Sequence, residues 1–156
     1  MVQNEYEKSV VLLSTHIVNE FVIQKYRKLC VELSKEKYDI ILLLNVDEGH
    51  EWHVPEDVAY FGTTCESLNA LMYEPIEETL LPGSCHFPLL RFYIDNPDYR
   101  FYWFVEYDVE FTGNWSSFMN DCRDNLFNYD FLSCHIERFD ESKNKYWPWW
   151  HRSNNV

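Results

Sequence analysis

Glycine is scarce, at four residues in 156, which argues against a Gly-rich all-β architecture. Basic side chains are also short in supply: Lys and Arg total 13 against 26 Asp and Glu, for a formal charge of −13. Nucleic-acid binding depends on neutralising phosphates, so a chain this acidic with no Lys/Arg cluster is not expected to bind nucleic acid. A polybasic patch for an anionic membrane surface is missing too. The five cysteines are odd in number and form no C-x-x-C pair, which predicts reduced thiols and a cytoplasmic setting in place of a disulfide framework. The longest aliphatic run, "IILLL" at 40–44, is far too short to span a bilayer. "MVQNEYEKSVVLLSTH" carries early Glu and a short apolar run, so no signal peptide is predicted. No P-loop, G-x-G-x-x-G or G-x-S-x-G occurs, which disfavours P-loop phosphoryl transfer, NAD chemistry and α/β-hydrolase chemistry.

The chain does have core-forming residues, being 46% hydrophobic and 18% aromatic. One α/β domain over 1–156 is expected at this length. "SVVLL" (9–13) is a continuous apolar run, as in a strand buried on both faces. Between Asn19 and Lys37 the apolar residues Val22, Tyr26, Leu29, Cys30 and Leu33 recur with helical spacing. That spacing puts Lys25, Arg27, Lys28, Glu32 and Lys35 on the wet side, with Asn19 as N-cap. "YDIILLLN" (38–45) reads as a second buried strand, so the three segments form a parallel crossover unit. Further on, "EDVAYFG" suggests a short strand, "CESLNALMY" a short helix, and "PIEETLLPGSCHFP" mostly loop. A brief helix is expected from Pro88 to before Pro97. Another strand should follow at Phe101, a helix capped by Asn114 after it, and a last strand in "DFLSCHI" (130–136). Alternating strands and helices predict a three-layer α/β sandwich with a mostly parallel sheet, whose ligands sit outside the carboxyl ends of the strands.

"FYWFVEYDVEF" (101–111) carries the most pointed signal. After five apolar or aromatic residues, Glu106, Asp108 and Glu110 alternate with Tyr107, Val109 and Phe111. On a continuing strand the three carboxylates would share one face and repel their neighbours by about 0.2–1 kcal/mol per pair. Mg²⁺ and Mn²⁺ seek such oxygens and complete their shells with water or phosphate, which would let an acidic protein hold an anionic substrate. An acidic strand face in water is the alternative.

"YWFVEYDVEFTGNWSSF", followed by "DFLSCHIE" and "WPWW", resembles a group of glycosyltransferases of the GT-A type. The resemblance is strongest over 99–150 and agrees in strand order with 9–45. It implies a nucleotide-diphospho-sugar transferase-like fold with an acidic D-x-D-like element ending a central strand. It also implies a nucleotide-sugar donor, a glycan or small-molecule acceptor, and a Mn²⁺ or Mg²⁺ cofactor. Asp108 matches the metal or diphosphate ligand and Glu106 its partner acid, the pattern here being E-x-D. By position, Ser14 and Thr15 would lie near base and ribose, and Asp47 would accept a hydrogen bond from one of them. Each of these three is equally a strand-end cap or turn residue. Transferases of this type carry a second half that builds the acceptor site, for which this length leaves little room, so a compact member, a fragment or an inactive relative are all open.

His135 and Glu137, emerging after "DFLSC", are candidates for groups near the acceptor, with a structural histidine as the alternative. His50 and His53 in "HEWH" have metal-compatible spacing, but a zinc site wants three or four ligands, and a surface pair is the simpler reading. The Trp residues of "YWPWWHR" (146–152) either stack on sugar rings or close over the sheet as core. Besides glycosyl transfer, a non-catalytic carbohydrate- or protein-binding module fits. Metal-assisted phosphoester hydrolysis is a third option, lacking a second ligand cluster.

Overall fold

The computed structural model describes residues 8–46, 52–73, 86–126 and 128–133. They form β1 (Ser9–Thr15), α1 (Glu20–Glu32), β2 (Tyr38–Asn45), β3 (Tyr60–Thr63), α2 (Cys65–Asn69), α3 (His86–Asp95), β4 (Tyr102–Glu106) and α4 (Trp115–Asn125). The chain divides into two compact units, Met1–Asn120 and Asp121–Val156.

In the first unit the four strands make one parallel sheet in the order β3-β2-β1-β4. The two central strands are the most apolar, as burial from both sides requires. Val10, Val11, Leu12 and Leu13 of β1, with Leu42 to Leu44 of β2, are essentially inaccessible to water. Each such side chain contributes about 1.5–3 kcal/mol on burial. Alternate residues serve opposite faces. Val11, Leu13, Ile40, Leu42 and Val105 pack with Val22, Ile23, Tyr26 and Leu29 of α1 and with Trp115 and Met119 of α4. Val10, Leu12 and Leu43 pack with Phe92 of α3 on the other side. The sheet is therefore covered by helices on both faces.

Local chemistry accounts for the element boundaries. Asn19 caps α1, its Oδ1 accepting from the Val22 N–H at 3.0 Å. The helix ends at Glu32, not near Lys37, because Leu33 takes an extended conformation and Ser34 closes a turn to Lys37 and Tyr38. Pro88 sits inside the first turn of α3, where its missing N–H costs no hydrogen bond. The helix therefore starts two residues before the proline, not at it. Asn114 accepts from the Ser117 N–H at 2.9 Å, and Glu32 of α1 accepts from the Trp115 N–H at 2.8 Å, so α4 is capped from its own chain and from a neighbouring helix.

The strand expected through Glu110 stops at Glu106. Among the described residues it pairs with β1 alone, and the ladder ends where Ser14 pairs with Glu106 and the Tyr107 N–H donates to the Ser14 carbonyl at 3.0 Å. A turn follows, closed by the Val109 N–H on the Glu106 carbonyl at 3.1 Å. The three carboxylates therefore do not line one strand face.

In the second unit, α4 ends with the Leu126 N–H on the Cys122 carbonyl, and Tyr129, Phe131 and Leu132 are exposed. The strand expected over 130–136 is not seen in residues 130–133, which belong to no regular element, and its remainder lies outside the described residues.

Candidate functional site at the carboxyl edge of the sheet

The strand order makes the chain step outward from β1 to β2 and β3 and then return past β1 to β4. In open parallel sheets this reversal, here between β1 and β4, is where ligands collect beyond the carboxyl ends. Ser14 and Glu106 are register partners at that point. Both share the parity of Leu12 and Phe104, so they belong to the face covered by α3.

Glu106 and Asp108 are both exposed, and among the described residues neither carboxylate has a hydrogen-bonding or ionic partner. Glu110 differs. Its carboxylate meets Lys25 of α1 at 3.0 Å. The Lys25 ammonium also donates to the carbonyls of Tyr107 at 2.5 Å and Val109 at 2.6 Å. Only 10% of this lysine's side chain is accessible, so it does not lie on the wet side of α1 as its helical position suggested. One cation thus gathers three acceptors from the turn that carries Asp108. Charge-assisted hydrogen bonds of this kind are about twice as strong as neutral ones.

The other expected positions fare variously. The Thr15 hydroxyl is buried and occupied locally, donating to the Ile17 carbonyl at 2.7 Å and accepting from the Ile17 N–H at 3.1 Å. Ser14 is half-buried beside Glu106, and His16 after it packs edge-on against Tyr107. Asp47, His50, His135, Glu137 and the tryptophan tail lie outside the described residues. His53 is exposed. Among the described residues no three His, Cys, Asp or Glu side chains converge in a metal-binding group. Burial pushes the Cys30 and Cys122 thiols up, so neither is an activated nucleophile.

Two residues of interest escaped the sequence reading. Asn45 and Thr63 are register partners at the carboxyl ends of β2 and β3. Asn45 Oδ1 and Thr63 Oγ1 are buried with no hydrogen-bond partner among the described residues, and Thr63 is wholly inaccessible. A buried polar atom without a partner costs about 1–3 kcal/mol. Trp103 Nε1, in the middle of β4, is in the same condition. The signal for Asn45 was present, as the one amide ending the apolar run "IILLLN".

No family model, curated protein or solved structure matches the chain. No helix among the described residues is long and apolar enough to cross a membrane.

Proposed function

We propose that the carboxyl edge at β1 and β4 binds a nucleotide-diphosphate sugar, and that the protein transfers the sugar to a glycan or small-molecule acceptor in the manner of a GT-A-type glycosyltransferase. The observation that carries this reading is that Glu106, at the end of β4, and Asp108, in the turn beyond it, have no side-chain partner among the described residues. The donor set fits a divalent cation. Mg²⁺ and Mn²⁺ are commonly held by one or two carboxylates, with water and substrate phosphate filling the remaining positions. The chemistry supplied by such a cation is neutralisation of the charge developing on a departing diphosphate.

The chain's own residues do the rest. Glu106 and Asp108 hold the cation, and Lys25 fixes the turn between them and α1. Half-buried Ser14, the register partner of Glu106, stands beside them at the same edge. Asp47 keeps the role near base or ribose that the resemblance implies, and Glu137 or His135, following "DFLSC" in sequence, is the candidate group near the acceptor. A second reading is favoured by one observation. Among the described residues no third ligand joins the acidic pair, as suits a module that holds a carbohydrate without catalysis.

Calorimetry with UDP, GDP and CDP, with and without Mn²⁺, separates the two. The transferase reading expects metal-dependent nucleotide binding that disappears in Asp108→Ala. Carbohydrate binding indifferent to both metal and substitution would replace it with the module.

A further inference from the structure

A concave feature adjoins the turn after β4, taking in Glu110 but neither Glu106 nor Asp108. Between the first turns of α1 and the β4–α4 loop lies a cleft of about 180 Å³, lined chiefly by Phe21, Gln24, Lys28, Glu110, Phe111 and Trp115. This is below the roughly 300–1,000 Å³ of sites that take drug-sized ligands, so a single small ring is the natural occupant.

The polar groups of the lining define what that ring must carry. Lys25, which also borders the cleft, spends its three N–H groups on Tyr107, Val109 and Glu110. Glu110 uses one oxygen on that lysine and keeps the other, with its side chain 64% accessible. Gln24 Nε2 donates to Glu20 at 3.0 Å, which leaves the Gln24 carbonyl open. Lys28 is weakly engaged, at 3.4 Å from the Phe111 carbonyl and 3.9 Å from Glu32, so it retains donors. The cleft thus offers two acceptors and an ammonium around aromatic surface, with Phe21 49% exposed. An anion would meet Glu110, and a cation would meet Lys25 and Lys28. A neutral ring with an apolar C–H face and peripheral hydroxyls satisfies both the rings and the polar rim.

The shape of the cleft depends on a close approach. A Cβ on Gly113 would fall 2.6 Å from Phe111 Cζ, so any other residue there must displace the Phe111 ring.

We propose that this cleft binds a monosaccharide-sized hydroxylated ring. Its assignment as the acceptor's ring rests on the transferase reading, but its binding of a sugar does not.

Saturation-transfer NMR on the full chain, free of metal and nucleotide, tests the proposal. The probes are glucose, galactose, mannose and N-acetylglucosamine, set against phenylalanine, leucine and inorganic phosphate. At least one monosaccharide should receive saturation at its ring C–H protons and bind at least tenfold more weakly to Phe21→Ala and Gln24→Ala. These two side chains are exposed on α1, so the fold should survive their loss. Gly113→Ala should weaken the same sugar by moving Phe111. Absence of transfer to every sugar, transfer unchanged in the α1 variants, or preference for the amino acids or phosphate would each overturn the proposal. Asp108→Ala separates the two sites: loss of nucleotide binding with sugar binding retained is the expected pattern. Sugar binding in a chain that never binds nucleotide would sink the transferase reading and leave the cleft standing.

Discussion

At the amino edge of the sheet the polar side chains satisfy one another; at the carboxyl edge several are left over. Asp39, near the start of β2, accepts from Lys8 at 2.6 Å through one oxygen and from the Tyr99 hydroxyl at 3.0 Å through the other. The Tyr102 hydroxyl donates to the Asn96 carbonyl at 2.6 Å, and the Arg100 N–H closes onto the Lys8 carbonyl at 2.8 Å. Across the sheet, and among the described residues, Glu106 and Asp108 lack partners and Asn45 and Thr63 bury oxygens that no donor meets. Both edges belong to the same strands, so the difference does not come from the backbone. Side chains chosen for stability alone would not leave two buried oxygens unmet at one end. That asymmetry, more than any single residue, argues that the carboxyl edge is arranged for something outside the protein.

The largest effect should come from breaking the one strong polar cluster at the carboxyl edge. Lys25→Met removes a charged donor from two carbonyls and one carboxylate, and should cost about 2 kcal/mol in chemical denaturation. Hydrogen exchange should then accelerate at 107–112 and stay slow in β1 and β2. Next, Thr63→Val exchanges a buried hydroxyl, unmet among the described residues, for an isosteric methyl and should raise stability by about 1 kcal/mol. A loss of stability instead would mean that the oxygen already has a partner, and the contrast between the edges would shrink.

A smaller effect is expected at the amino edge. Burial, and then its hydrogen bond to Asp39, push the Tyr99 hydroxyl up to about 12. The folded state therefore holds this proton more tightly than the unfolded chain, where tyrosine titrates near ~10. The stabilisation is fully present below that value and is lost as pH rises toward the folded value. Tyr99→Phe should flatten the alkaline fall in stability, read from denaturation midpoints across that range. The smallest change in stability belongs to Asp108→Asn. An exposed, unpartnered carboxylate should be replaceable within about 0.5 kcal/mol, even as metal-dependent nucleotide binding disappears.

How much of this was legible in the sequence follows from how local each cause is. The Val and Leu runs of β1 and β2 declare buried strands by composition. Asn19 and Asn114 declare caps through side chains that reach only three residues on. The parallel α/β class was readable for the same reason. The end of β4 was not, because "EYDVEF" continues a period of two beyond Glu106, where the ladder with β1 stops and the backbone turns. Nor was the role of Lys25, which depends on α1 lying against a loop more than eighty residues away in sequence. Of the acids that the alternation marks, Glu106 ends β4 and Asp108 lies in the turn beyond it. Asn45 shows only as the amide ending "IILLLN", and Thr63 not at all, because burial without a partner is a property of three-dimensional surroundings.

The edge asymmetry is tested most directly by mapping backbone amide shifts on titration with UDP, GDP and CDP in the presence of Mg²⁺. The account predicts that a binding nucleotide perturbs Ser14, Asn45, Thr63 and residues 106–108, leaving Lys8, Asp39 and Tyr99 unmoved. Shifts gathered at the amino edge, or none with any of the three nucleotides, would contradict it.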